Sequence, residues 1–86
     1  ESGLGRADAV LIPKSSSNPQ ALILEYKVGK EVEELPDTAK AGLAQLLQKD
    51  YAAKVRWEAH VQSILAVSLA FCGKQVAMEY EVIPKQ

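Results

Sequence analysis

The sequence predicts an α/β fold, a mixed β-sheet carrying one packed helix, in the order β, β, α, β, β. Three observations carry that expectation. Two short runs rich in apolar, β-branched and aromatic residues, at 7–12 and 21–28, come first. A long run of helix formers follows, and two more strand-like runs flank Cys72-Gly73-Lys74 after it. Strands on either side of a helix can pair in parallel across it, whereas strands joined by short loops pair antiparallel, so the sheet should be mixed.

Taken in order, Gly3-Leu4-Gly5-Arg6 reads as a turn, and Ala7–Ile12 as a strand stopped by Pro13. Lys14–Pro19 is a polar, breaker-rich connector to the second strand, Ala21–Val28, which Gly29 closes. The connector is short, so these two strands should form an antiparallel hairpin. Lys30–Pro36 is acidic and reads as loop. Asp37 or Thr38 can then cap a helix running from Ala39 to about Val55. At about 100° per residue, Leu43, Ala44, Leu46, Leu47 and Tyr51 share one face of it. Arg56–Val61 fits neither pattern. Gln62–Phe71 and Gln75–Ile83 complete the sheet as a hairpin. One helix covers one face of a sheet and leaves the other bare. That bare face, and a start at Glu1, lead us to expect that the chain is part of something larger.

With 86 residues the chain forms a single domain, 1–86, whose folding buries only about 60–65% of the surface its unfolded form exposes. The net charge of −1 provides no global basic field, which counts against tight, unassisted binding to nucleic acid. A single cysteine, Cys72, excludes an internal disulfide and a thiolate cluster, and fits a reducing, cytoplasmic setting. A single histidine, His60, excludes a multi-histidine zinc site. The longest apolar run, Ile64–Cys72, is broken by Ser68 and is too short to span a membrane, and no export signal opens the chain.

Chemistry concentrates at the end of the second strand. Glu25 and Lys27 are two residues apart and project from one face, while Tyr26 points to the other. Charged residues ending an otherwise apolar strand are commonly a solvated pair contributing little. Asp8 changes that balance, because a hairpin can bring its carboxylate beside that of Glu25. Two carboxylates held close repel each other unless a cation is shared between them. Oxygen ligands of this kind suit Mg²⁺ or Mn²⁺, which bring an activated water and neutralise charge on a phosphate. An ammonium beside them, that of Lys27, stabilises charge that develops in the transition state.

At these residues the sequence resembles the D…(D/E)-x-K pattern of the PD-(D/E)XK nuclease superfamily: Asp8, a strand and loop, then Glu25-Tyr26-Lys27. Gly5-Arg6-Ala7-Asp8 resembles the Gly-Arg-x-Asp lead-in of one branch, whose domains are often attached to AAA-ATPase-like domains. That branch also carries a helical glutamine followed six residues later by a tyrosine, matched by Gln45 and Tyr51. The resemblance extends from Gly3 to Ile83 and implies a restriction-endonuclease-like core. It implies Asp8 and Glu25 as metal ligands with the Tyr26 backbone carbonyl as a third oxygen, and Lys27 as the catalytic lysine. Gln45 would position the phosphate or the water, with Arg6 and Tyr51 in support. The implied cofactor is Mg²⁺ or Mn²⁺ and the implied partner is nucleic acid, DNA first.

Two departures stand beside it. Gln45 lies about 160° around the helix from Leu47, so periodicity makes it solvent-facing unless the helix overhangs the sheet edge. The family's first helix, which often supplies a further acidic residue, precedes the first strand, and we expect it to lie outside this sequence. Two functions therefore stay open: a metal-dependent nuclease, and an inactive nuclease-fold module for binding or scaffolding within a multidomain protein.

The remaining candidates have ordinary readings. His60 reads as a structural histidine, and Cys72 carries no sign of an activated thiol. Lys40, Lys49, Lys54 and Arg56 read as a solvated helix face, with Asp50 and Glu58 among them. Glu31, Glu33, Glu34 and Asp37 form an acidic patch near the site entrance that would repel a phosphate strand.

Overall fold

A computed structural model describes residues 9–14, 17, 19–48 and 60–84. Four strands, β1 (Ala9–Leu11), β2 (Gln20–Val28), β3 (Ser63–Cys72) and β4 (Gln75–Pro84), form one sheet in the order β1-β2-β3-β4. β1 and β2 pair antiparallel, β2 and β3 parallel, and β3 and β4 antiparallel. The sheet is thus mixed, with its parallel pair bridged by the one described helix, α1 (Leu35–Gln48). This is the α/β architecture expected of a restriction-endonuclease-like core. No described helix is long and apolar enough to cross a membrane.

The strand bounds agree with the sequence pattern to within a residue or two over the described stretch; Ala7 and Asp8 lie outside it. The parallel ladder runs from Gln20↔Ser63 to Val28↔Phe71 and is extended at each end by a backbone bond. The Gly29 amide donates to the Phe71 carbonyl at 2.7 Å, and the Gln62 amide to the Pro19 carbonyl at 2.7 Å. The β3–β4 turn has Gly73 at φ 59°, and a β-carbon there would meet nothing within 4 Å. Substitution cost at Gly73 is therefore a backbone matter. Gly73→Val should lower unfolding stability by about 1–2 kcal/mol in urea denaturation, and Gly73→Asn by less. An unchanged midpoint for Gly73→Val would show that the turn has no need of a left-handed residue.

The helix departs from the expected one at its start and in its orientation. The acidic stretch read as loop contains a 3₁₀ turn, Val32–Glu34, that runs directly into α1 at Leu35. Pro36 falls in the first turn of the helix, where the missing amide has no partner to lose. Asp37 and Thr38 thus lie inside the helix rather than capping it. The expected continuation to Val55, with Tyr51, lies outside the described residues. The buried stripe is Leu35, Ala39, Gly42 and Leu46, with Leu43 partly buried beside it. Ala44 and Leu47 are exposed. Of the expected face Leu46 is buried and Leu43 partly so, while Ala39 and Gly42, small enough to let helix and strand backbones approach, take the places expected of Ala44 and Leu47.

Two apolar clusters hold α1 on the sheet. Leu46 packs with Ala21, Ile23, Val61, Ile64 and Ala66, joined by Leu43 and Ile83. At the other end Leu35 and Ala39 pack with Ala70, joined by Cys72 and Ala77. Burying a side chain such as Ile23 or Ile64 contributes about 1.5–3 kcal/mol. His60 stabilises the approach to β3: its ring Nε2 donates to the Pro13 carbonyl, tying the segment after β1 to the one before β3. The structural reading of this histidine stands.

The opposite sheet face is apolar and open among the described residues. Register places Leu22, Leu65 and Val82 in one row, Leu24, Val67 and Tyr80 in the next, then Tyr26, Leu69 and Met78, then Val28, Phe71 and Val76. Tyr26, Val28, Val76, Met78, Tyr80 and Val82 are each about half exposed or more, with Val28 at 80%. A contiguous apolar patch of this kind is uncommon on an isolated domain.

Candidate active site

The strand alternation that makes the open face apolar sends every second residue of β2 toward the helix. Ala21 and Ile23 enter the first apolar cluster, and the next two positions on that face are Glu25 and Lys27. On β3 the register partner of Glu25 is Ser68, which lies between Ala66 of one cluster and Ala70 of the other. Ser68 in turn pairs with Glu79 of β4, which is half-buried. A polar seam thus crosses the sheet between the two apolar clusters.

Gly42 is where α1 passes over this seam. A β-carbon on Gly42 would sit 2.4 Å from Ser68 Oγ, 3.5 Å from Glu25 Oε2 and 3.5 Å from Lys27 Cε. Any other side chain at position 42 would occupy the space shared by the three polar groups. Gly→Ala inside a helix ordinarily stabilises by about 1 kcal/mol through propensity. Here the contact with Ser68 Oγ is far below van der Waals distance, and overpacking of about 1–3 kcal/mol outweighs it. Gly42→Ala should therefore destabilise the domain on balance. The loss should shrink in a Ser68→Ala background, where the clashing oxygen is gone. Equal losses in both backgrounds, measured by thermal or urea unfolding, would mean that the clash is not what sets the cost.

Glu25 is 7% exposed, and Lys27 stands beside it with its Nζ 3.5 Å from Glu25 Oε2. The lysine side chain keeps 31% of its exposure, so it reaches from the seam to solvent. This is not the solvated pair that a strand leaving the core would present, because the carboxylate is enclosed. Glu25 Oε2 and Ser68 Oγ are both buried with no hydrogen-bond partner among the described residues. For Ser68 Oγ an unmade bond costs about 1–3 kcal/mol, while Glu25 Oε2 has the Lys27 ammonium as charge partner and a hydrogen-bonding position still unfilled. A carboxylate oxygen in that position, beside a hydroxyl and under a glycine that leaves room, is what a hard divalent cation would satisfy. The residues present fit such an ion.

Of the residues singled out in the sequence, Glu25 and Lys27 are brought together as expected, and the Tyr26 side chain points to the opposite face. Gln45 lies three residues on from Gly42 and is half-buried, not solvent-facing. The buried stripe is rotated away from Leu47, which places Gln45 on the flank of the packed face without any overhang. Asp8, Arg6 and Tyr51 lie outside the described residues. Among the described residues no group of three or more His, Cys, Asp or Glu side chains comes together. Ser68 and Gly42 were missed by sequence reasoning. The signal for the first was a lone hydroxyl breaking an apolar run, and for the second a glycine inside a helical pattern.

Elsewhere the surface follows its composition. Lys40 is exposed on the helix, and Lys49, Lys54 and Arg56 lie outside the described residues. Glu31, Glu33, Glu34 and Asp37 are all exposed at the start of the helix, shortly after β2 ends. Cys72 is half-buried and free.

No curated protein and no solved structure matches the chain. The sequence profile of the PD-(D/E)XK nuclease superfamily does, over residues 1–81. Nucleases of this superfamily generally use divalent metal ions. The matched stretch contains the mixed sheet through most of β4, the helix that bridges its parallel strands, and the Glu25-Tyr26-Lys27 segment with its buried carboxylate. With the profile spanning nearly the whole sequence, the chain belongs to the PD-(D/E)XK nuclease superfamily.

Proposed function

We propose that this domain hydrolyses nucleic-acid phosphodiester bonds in a metal-dependent reaction, with DNA as the substrate to test first. The observation that carries the reading is the Glu25–Lys27 pair. A buried carboxylate and a partly exposed ammonium lie 3.5 Å apart near the end of β2, where the absent side chain of Gly42 lets α1 pass close by. Glu25, Asp8 and the Tyr26 backbone carbonyl are the proposed holders of Mg²⁺ or Mn²⁺. Asp8 immediately precedes Ala9, which pairs with Leu24, the residue before Glu25. A divalent ion held there supplies Lewis-acid polarisation of the phosphoryl oxygen and a water nucleophile at neutral pH.

The chain's own residues supply the rest. Lys27 presents a fixed positive charge where negative charge develops on the phosphate, and its exposure gives a substrate access to it. Gln45 lies on the helix flank beyond Gly42 and is assigned to positioning the phosphate or the attacking water. Arg6 and Tyr51 are assigned supporting roles. The net charge of −1 and the acidic patch at 31–37 contribute no electrostatic capture, so nucleic acid should bind weakly.

A second reading, an inactive module for binding or scaffolding, is favoured by the open apolar sheet face. The two separate on a cleavage assay with single- and double-stranded DNA and RNA in Mg²⁺, Mn²⁺ or EDTA. Cleavage of one of these in either metal, abolished by EDTA, is the expected result and identifies the substrate. A folded chain that cuts none of them would favour the module.

A further inference from the structure

We propose that Ser68 is a positioning residue for Glu25, its hydroxyl donating a hydrogen bond to the Glu25 carboxylate and orienting it toward the metal. The inference rests on the reading of Glu25 as a metal-holding carboxylate and adds a residue that the family motif does not contain.

Ser68 is the anomaly of the central strand. It is fully buried, and its neighbours on the helix-facing side, Ile64, Ala66 and Ala70, are all apolar and fully buried. Alanine would fill the position without introducing a buried hydroxyl, so a serine there is explained only by something that uses the oxygen. Across the parallel ladder its partner is Glu25, whose Oε2 is the other buried side-chain oxygen lacking a hydrogen-bond partner among the described residues. The two needs are complementary. An ionised carboxylate can only accept and a hydroxyl can donate, so one bond between them satisfies both. Both oxygens lie within 3.5 Å of the point where a Gly42 β-carbon would stand, and Ser68 Oγ turns about a single bond between staggered positions. A bond from a hydroxyl to an ionised oxygen is among the stronger kinds. With Lys27 3.5 Å away on one side and Ser68 donating from the neighbouring strand, the carboxylate would be held from two directions.

The test compares Ser68→Ala in the wild-type and Glu25→Gln backgrounds, reading Mn²⁺ affinity by calorimetry and the Glu25 side-chain carboxyl ¹³C resonance without metal. In the wild-type background we expect Mn²⁺ affinity to fall about tenfold or more, as for loss of a ligand-orienting partner. The carboxyl resonance should shift, and stability should fall modestly, because a buried carboxylate oxygen loses its donor. In the Glu25→Gln background Ser68→Ala should cause no further loss of Mn²⁺ binding, since the carboxylate it orients is absent. An unmoved carboxyl resonance overturns the proposal, as does unchanged Mn²⁺ affinity in a chain that binds the ion. A wild-type chain that binds no Mn²⁺ sinks the metal-site reading instead, and the carboxyl resonance still decides whether Ser68 holds Glu25.

Discussion

Glu25→Ala should abolish Mn²⁺ binding and metal-dependent cleavage while changing unfolding stability by less than about 1 kcal/mol. Removing one partner of a buried ion pair is usually severe, about 3–5 kcal/mol, because the other charge is stranded. Here the other charge is Lys27, which retains 31% of its side-chain exposure and can turn to water. Removing Glu25 also removes a buried charge, and with it the desolvation cost of the ionised carboxylate. The two effects oppose each other and leave a small net change. For activity nothing compensates: loss of a metal-holding carboxylate should lower the rate by at least about 10²–10³. Calorimetric Mn²⁺ titration with urea unfolding checks both halves. A variant that unfolds while the residual folded fraction binds Mn²⁺ normally would make Glu25 a structural ion-pair partner.

Ile64→Ala should be the most destabilising single truncation in the sheet. Ile64 is fully buried on the central strand β3 and packs in the cluster of Ile23, Leu46 and Val61. Truncating a buried isoleucine costs about 2–5 kcal/mol, the transfer term plus the cavity it leaves. A domain of this length has a total stability of only about 4–13 kcal/mol. The loss is therefore a large fraction of the whole, and the variant should show a much reduced urea midpoint and a higher unfolded population at 37 °C. Val28→Ala on the open face, where Val28 is 80% exposed, should shift the midpoint little. Comparable losses at both positions would place the core elsewhere than between α1 and the sheet.

Strand order was legible because short loops and the crossover helix leave few pairings, and because β-branched runs with turn residues mark each strand. Glu25 and Lys27 stood out through the period-two alternation that places both on one face. Burial of the pair was not legible, since it depends on α1 lying across that strand end. The helix face was misjudged for a related reason. Periodicity favours Leu43, Leu46 and Leu47 by hydrophobicity, but close docking over Ser68 selects Gly42 and Ala39, and turns Leu47 outward. In sequence a helical glycine reads as a weakness, and only the 2.4 Å at which an added β-carbon would meet Ser68 Oγ shows what it permits. Pro36 similarly reads as a breaker, yet the first turn of a helix accommodates it.

The central claim, that this strand end cleaves phosphodiesters, is tested most directly by Lys27→Ala. Single-turnover cleavage of the preferred substrate at saturating Mn²⁺ would be compared with the wild type, alongside Mn²⁺ affinity. Lys27 is assigned to charge on the phosphate and not to holding the ion. The rate should therefore fall by at least about 10²-fold, while Mn²⁺ affinity stays within a few-fold of the wild type. Cleavage by Lys27→Ala at the wild-type rate would contradict the account.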